Sequence, residues 1–128
     1  MLALFDRGHR SADYLYLEAR SRWTKIVSLS IYDSEDMLAS VARLLQKARR
    51  QNPRHIPSLV LLSDVLMALG ADKKALEVVD LLIALQPRNQ THAQKKALLH
   101  RCQAKRNADN REAVREFIET RWTQTDDW

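Results

Sequence analysis

Residues 56–89 read IPSLVLLSDVLMALGADKKALEVVDLLIALQPRN, and this stretch decides the fold class. Apolar residues are so dense from Ile56 to Leu69 that the segment predicts a helix buried on more than one side. Gly70 supplies the left-handed residue that ends such a helix, and Asp72 is a suitable N-cap for the next one. The second helix ends before Pro87 and has one apolar stripe, made of Ala75, Val78, Val79, Leu82 and Leu85. The stretch therefore predicts an antiparallel hairpin of two helices.

The same pattern recurs along the chain. Pro53 and Pro87 lie 34 residues apart, and a shift by this distance places apolar residues on apolar residues. The matched pairs include Val27 with Leu61, Ile31 with Val65 and Leu45 with Val79. In the preceding period we predict a first helix from about Ala12 to Tyr32, and a second helix capped by Ser34 or Asp33. A period of this length, built from two helices, indicates a helical repeat.

The third period has a weaker pattern. Asn89 or Thr91 is predicted to cap a helix that runs through Lys105, with a thin apolar stripe of Ala93, Ala97, Leu98 and Cys102. Because this helix is rich in lysine, we expect it to be the least stable one. Residues 107–110 are predicted as a turn before a last helix, whose stripe is Ala113, Val114, Phe117, Ile118 and Trp122. The predicted repeats span 20–55, 56–89 and 90–122, and residues 123–128 are predicted to fray.

Length and composition narrow the class of protein. The chain has 128 residues, of which 45% are hydrophobic, with 2 Gly and 3 Pro, which fits one helical domain over residues 1–128. Its single cysteine excludes an internal disulfide framework. No apolar run is long enough to span a bilayer, and the apolar start Met1–Phe5 is too short for a signal peptide. These observations predict a soluble protein of the cytoplasm. The 21 Lys and Arg against 16 Asp and Glu give a net charge of +5.

The spacing in residues 56–89 closely resembles a tetratricopeptide repeat. The motif is Leu59-x2-Leu62-x3-Leu66-x3-Gly70-x4-Ala75-x3-Val79-x2-Leu82-x4-Pro87, in which Gly70, Ala75 and Pro87 are the specific matches. Glycine permits the hairpin turn, and a small residue at position 75 lets the two helices approach closely. The resemblance implies an all-α fold of stacked antiparallel helix hairpins, a short α-solenoid of about six helices.

The resemblance also implies a binding groove. In this family the first helices of successive repeats line a concave surface that holds an extended peptide or a helix of another protein. The corresponding groove residues here are Trp23, Ile26, Val60, Asp64, Met67, Ala68, Gln94, Leu98, Arg101 and Cys102. We expect Asp64 to face solvent or a partner, because a charge inside so apolar a helix is otherwise costly. Since the groove is mainly apolar, the expected ligand is a hydrophobic or amphipathic segment, without recognition of a terminal carboxylate.

Nothing in the sequence favours an enzyme. No two of the four histidines are at helical i,i+3 or i,i+4 spacing, so no metal site is predicted. Cys102 falls on an apolar stripe and is expected to be a buried small hydrophobe. The acidic residues 33–36 lie where a helix N-terminus favours negative charge. There is no glycine-rich phosphate loop and no nucleophile elbow, so no catalytic residue and no cofactor are predicted.

Three interpretations of function follow. The first is a protein–protein adaptor or chaperone-like scaffold that binds a partner segment in the groove. The alternative is a basic helical module for RNA or DNA, which would use the basic patch Lys47, Arg49, Arg50 and Arg54, together with the basic run from His100 to Arg106. Few aromatic residues lie among these charges, so a base-stacking platform is not predicted. The third is self-association through exposed aromatic residues, namely Trp122, Tyr14 and Tyr16.

Overall fold

A computed structural model describes residues 11–123 of the chain. This part of the chain contains six α-helices and no strand, which confirms the predicted all-α class. The helices are α1 (Ala12–Leu29), α2 (Glu35–Gln51), α3 (Ile56–Ala68), α4 (Asp72–Leu85), α5 (Gln90–Ala104) and α6 (Ala108–Thr123). Of the predicted tail, only Thr123 is described; residues 124–128 and the N-terminal segment 1–10 lie outside the described part.

The ends of the helices follow local rules, with small shifts from the prediction. Gly70 has a φ of 76° and ends α3 as expected. Asn89 is the cap of α5, since its side chain accepts a hydrogen bond from the Thr91 amide at 3.0 Å. The prediction of Asp72 as an N-cap is wrong by one residue: Ala71 takes that position, and Asp72 begins α4. Helix α1 ends at Leu29 instead of Tyr32, because Ser30 adopts a left-handed conformation.

The helices pack in a hairpin-like stack, as the sequence predicted. Helices α1 and α2 form one hairpin and α3 and α4 a second, while α2 against α3 and α4 against α5 join successive units. One apolar cluster runs through all six helices, and a small second cluster of Ala12, Leu15 and Ala48 lies between α1 and α2. The first cluster is densest in α3, where nine of thirteen residues are buried, as expected for a helix covered on several sides.

The apolar stripe predicted for α5 is correct for Leu98 and Cys102, which are buried, and wrong for its two alanines. Ala93 and Ala97 are exposed. The buried residues of the helix are His92, Lys95, Leu98, Leu99 and Cys102. Lys95 is fully buried, and a lysine occupies such a position only when a partner offsets its desolvation. The residue that pairs with Lys95 therefore determines which side of α5 points into the core.

Candidate functional site

Helix α6 lies against the first helices of the predicted repeats. Its main packing partners are α1, α3 and α5, whereas a last hairpin of the stack would pair it chiefly with α5. The indole of Trp122 meets that of Trp23 on α1 in an edge-to-face contact, with ring centroids 6.1 Å apart. We call the surface of α1, α3 and α5 that α6 covers the inner face. It contains most of the groove residues that the resemblance implied, and its occupant is a helix of the same chain.

The Asp64 carboxylate is the polar centre of the inner face. It is fully buried in α3 and receives the Lys95 ammonium from α5 at 2.8 Å. From α6, Arg121 Nη1 donates to both carboxylate oxygens at 3.0 and 2.9 Å, and Trp122 Nε1 donates to Oδ2 at 2.9 Å. Three donors from two helices therefore converge on one side chain. We call these four residues the Asp64 cluster.

The Asp64 cluster carries two cations and one anion. Lys95 is fully buried, and the side chain of Arg121 keeps 25% of its surface exposed. Burial lowers the pKa of Lys95 to about 8; the Arg121 guanidinium acts in the same direction, and Asp64 opposes both. Lys95 also donates to Ser63 Oγ at 2.7 Å. Since desolvating three charges is costly, the cluster persists only while its hydrogen bonds are complete.

A second polar contact joins α6 to the segment after α1. The Tyr32 hydroxyl donates to Glu119 Oε1 at 3.2 Å, and the Arg115 guanidinium lies 5.5 Å from the centre of the Tyr32 ring. Burial, with a smaller contribution from Glu119, raises the pKa of Tyr32 to about 12. The tyrosine therefore stays protonated at neutral pH and remains a donor.

The connection between α5 and α6 is held by Asn110. Its side-chain amide donates to the carbonyl oxygens of Lys105 at 2.6 Å and of Arg101 at 3.3 Å, and its oxygen accepts from Arg101 Nη2 at 3.1 Å. The thiol of Cys102 lies under the same turn, with Sγ 3.9 Å from the Asn110 carbonyl oxygen. Burial raises the pKa of this thiol, so it is mainly protonated at neutral pH.

A cavity of about 540 Å³ remains beside the first half of α6. Its apolar wall includes Met67, Cys102, Val114 and Ile118, and Arg106, Arg111 and Arg115 lie at its polar side. Arg106 is bound to the α3–α4 turn, since it donates to the Gly70 carbonyl oxygen and to Asp72 Oδ2 at 3.2 Å. Helix α6 therefore fills the inner face only in part.

The structure places most of the predicted groove residues in one cluster with α6. Trp23 and Ile26 are fully buried, Met67 and Leu98 are nearly so, and Val60 packs at the edge of the same cluster. Gln94 is exposed, and Arg101 is exposed but contacts Asn110. The expectation that Asp64 faces solvent or a partner is wrong, because two cations and an indole enclose it. Met67 is 4% exposed, so a charge introduced there would test folding as much as binding.

Sequence reasoning missed Lys95 and Arg121, the two cations of the Asp64 cluster. The sequence predicted no role for Lys95 beyond its place in a lysine-rich helix. The prediction that Trp122 is an exposed contact for another subunit is wrong, because this residue is only 6% exposed. The one signal was Asp64 itself, since a carboxylate within an apolar helix requires a cation somewhere. Nothing local identifies which cation it is.

The basic patch lies away from the inner face. Lys47, Arg50 and Arg54 are exposed and Arg49 is half-buried. Within residues 11–123, none of the four forms an ion pair of the kind that holds Arg22, Lys96 or Arg106.

The remaining candidate residues have structural surroundings. His55 bridges Asp13 on α1, at 2.6 Å from Nε2, and Ser58 on α3, at 2.7 Å from Nδ1. His92 is buried with its Nε2 2.8 Å from Gln86 Oε1, and burial lowers its pKa. Across residues 11–123 there is no group of three or more His, Cys, Asp or Glu side chains arranged to hold a metal ion. No helix in the same range combines the length and apolarity that crossing a membrane requires.

Comparisons with protein families, with curated proteins and with solved structures give no match to this chain. The similarity to tetratricopeptide repeats therefore stays a prediction from the motif in residues 56–89.

Replacing Asp64 should destabilise the fold strongly. Asp64→Asn removes the carboxylate that Lys95 and Arg121 both contact, and it leaves the buried ammonium without this anion. We expect a loss of about 3–5 kcal/mol in the free energy of unfolding, measured by urea denaturation. Asp80→Asn is the matched control, because the Asp80–Lys96 pair is half-exposed and should contribute no more than about 1 kcal/mol. Equal losses in the two variants would contradict the central role of Asp64.

Lys95 should give the fold a distinctive pH dependence. Between about pH 8 and 10, the folded protein binds fewer protons at Lys95 than the unfolded chain, in which its pKa is near 10.5. The contribution of Lys95 to the free energy of unfolding therefore rises with pH across that window. Relative to Lys95→Met, which keeps Asp64 paired with Arg121, we expect the wild type to gain about 2 kcal/mol in unfolding free energy. If the plots of unfolding free energy against pH are parallel for the two proteins, the pKa of Lys95 is the same in the folded and the unfolded chain, and the prediction is wrong.

Proposed function

We propose that this chain is a protein-interaction module, of the adaptor or chaperone-like type, whose inner face binds a helical segment of another protein. The observation that carries the proposal is that the inner face already binds a helix, α6. It does so through the two features that a helix-binding groove needs. One is an apolar floor with an aromatic anchor, Trp23, and the other is the charged residue Asp64, which fixes the register of the ligand.

The chemistry of the inner face favours binding over catalysis. Both oxygens of Asp64 accept from donors, and the Lys95 ammonium is shared between Asp64 and Ser63. Groups held in this way are poor general acids or bases, since the ion pairs would have to break for a proton to move. A cytoplasmic location belongs to the same proposal, and the single free thiol of Cys102 suits a reducing compartment.

A position-specific cross-link tests this function. A benzophenone side chain introduced at Gln94 lies on the stripe of α5 that leads to Arg101 and the edge of α6. We expect light to join this position in cells to one defined protein, which mass spectrometry identifies. The matched control is the same side chain at Glu77, which is exposed on α4. The proposal fails if position 94 yields no protein product, or if both positions yield the same products in equal amounts.

A second candidate function is binding of a nucleic acid backbone by the outer surface of α2. Residues 37–63 contain no Asp or Glu, and their only charges besides His55 are Arg43 and the basic patch. The side chains at 43, 47 and 50 share one side of α2, since their spacing follows the helical period, and Arg54 lies in the turn that follows the helix. Their positive charge is not offset by ion pairs within residues 11–123. Such a row can contact phosphates without reading the sequence.

Titration of a fluorescent duplex at about 50 and 200 mM salt separates this candidate from the first. Three to four phosphate contacts would weaken binding roughly 40-fold to 150-fold over this range, because each contact releases counterions. Lys47→Glu with Arg50→Glu should abolish binding, whereas Lys73→Glu with Lys74→Glu on α4 makes the same change in charge and should weaken it less. Absence of binding at the lower salt concentration excludes this candidate.

A further inference from the structure

We propose that α6 is an exchangeable occupant of the inner face, and that the partner helix which replaces it carries the same recognition pattern. This pattern is an apolar residue followed by a basic residue three positions later and an aromatic N–H donor four positions later, as in Ile118, Arg121 and Trp122. The inference rests on the proposed function. It adds the chemistry of the partner and the means by which the chain regulates its own binding surface.

The pattern follows from what the inner face offers. Asp64 accepts from a guanidinium and from an indole N–H on adjacent residues of α6. The Trp122 ring also contacts Trp23, and Ile118, one turn earlier, is buried in the same cluster. A helix that lacks the basic residue or the N–H donor would leave donor positions at the carboxylate unfilled, and one that lacks the aromatic ring would lose the contact with Trp23. These three positions therefore select the ligand.

The Asp64 carboxylate on the inner face keeps one ion-pair partner when α6 leaves. Lys95 belongs to α5, so the departure of α6 does not remove its ammonium, which lies 2.8 Å from Asp64 in the structure with α6 bound. The open face then contains one paired carboxylate instead of an isolated charge. It is thus a receptor that can persist long enough to accept a second helix. Removing α6 takes away Arg121, the second of the two cations at Asp64, and leaves the pair with Lys95.

Helix α6 has fewer buried residues than α3, which it covers. Its buried residues are Asn110, Ile118 and Trp122, compared with nine buried residues in the shorter α3. Five of its other side chains are both charged and exposed, namely Asp109, Arg111, Glu112, Arg115 and Glu116. A helix with so few buried anchors belongs to the part of a structure that opens at low free energy.

Two features show that α6 is an imperfect fit. A cavity of about 540 Å³ lies beside its first half, against Met67, Val114 and Ile118, and is not filled by α6. In addition, Nε1 of the fully buried Trp23 has no hydrogen-bond partner within residues 11–123. A partner helix with larger apolar residues near the cavity, and with an acceptor near Trp23, would bind the same face more tightly than α6 does.

Binding of a synthetic α6 helix tests the proposal. The probe is a fluorescein-labelled peptide of residues 108–123, and the receptors are the full chain and its Arg121→Ala/Trp122→Ala variant. Because its own α6 competes, the wild type should bind weakly, and the variant should bind about ten-fold more tightly or better. A peptide with alanine at positions 121 and 122 is the matched control and should bind neither protein. Asp64→Asn in the variant background should reduce binding of the unmodified probe about ten-fold or more.

Different results of these binding experiments contradict different parts of the proposal. Equal affinity of the probe for the wild type and the variant overturns the exchange of α6, and equal affinity of the two peptides overturns the recognition pattern. A dimer of the wild type that forms with rising concentration and disappears in the variant would make a second copy the occupant, which also overturns the proposal. If these tests fail while Gln94 still cross-links to a partner, the proposed function stands and only this inference is wrong.

The reactivity of Cys102 keeps the proposal testable if the variant is unstable. This thiol is the only one in the chain and lies under the first turn of α6. If α6 opens alone, a thiol reagent should label native wild-type protein about ten-fold or more faster than global unfolding permits, as judged from urea denaturation. Labelling that occurs only at the rate of global unfolding would show that α6 does not exchange.

Discussion

The buried carboxylate of Asp64 joins three helices at one point, because its ligands come from α5 and α6 while it belongs to α3. Charge inside an apolar stack is tolerated only with complete pairing, so this one residue constrains its neighbours. It fixes the rotation of α5, since Lys95 must point inward. It also fixes the position of α6, since Arg121 and Trp122 must reach the same two oxygens.

Much of the fold could be predicted because its rules are local. The hairpin of α3 and α4 follows from a dense apolar run, a left-handed Gly70 and a terminating Pro87, all within one stretch of sequence. Helix α5 could not be oriented in the same way. Its alanines suggested an apolar stripe, whereas its true inward face contains Lys95, whose partner lies far away in the chain. Lysine usually prefers an exposed position, but here the ion pair with Asp64 holds Lys95 in the core.

The candidate site was predicted in part for the same reason. The repeat pattern identified Trp23, Asp64 and Met67 as neighbours on one face, and the structure brings them together. What covers that face could not be predicted, because the stripe of α6 fits equally well a helix that extends the stack. The choice depends on the contact of Trp122 with Trp23, which joins opposite ends of the described chain and leaves no trace in local periodicity.

The three-residue connection between α5 and α6 has a consequence for affinity. A helix on so short a tether returns to its own chain at an effective concentration in the millimolar range. Any free ligand of the same surface must overcome that local excess, so its apparent dissociation constant on the whole chain exceeds the intrinsic value for the uncovered surface. Helices that bind this surface weakly therefore do not displace α6 even when they are abundant. A scarce helix displaces α6 only if its affinity for the surface is high.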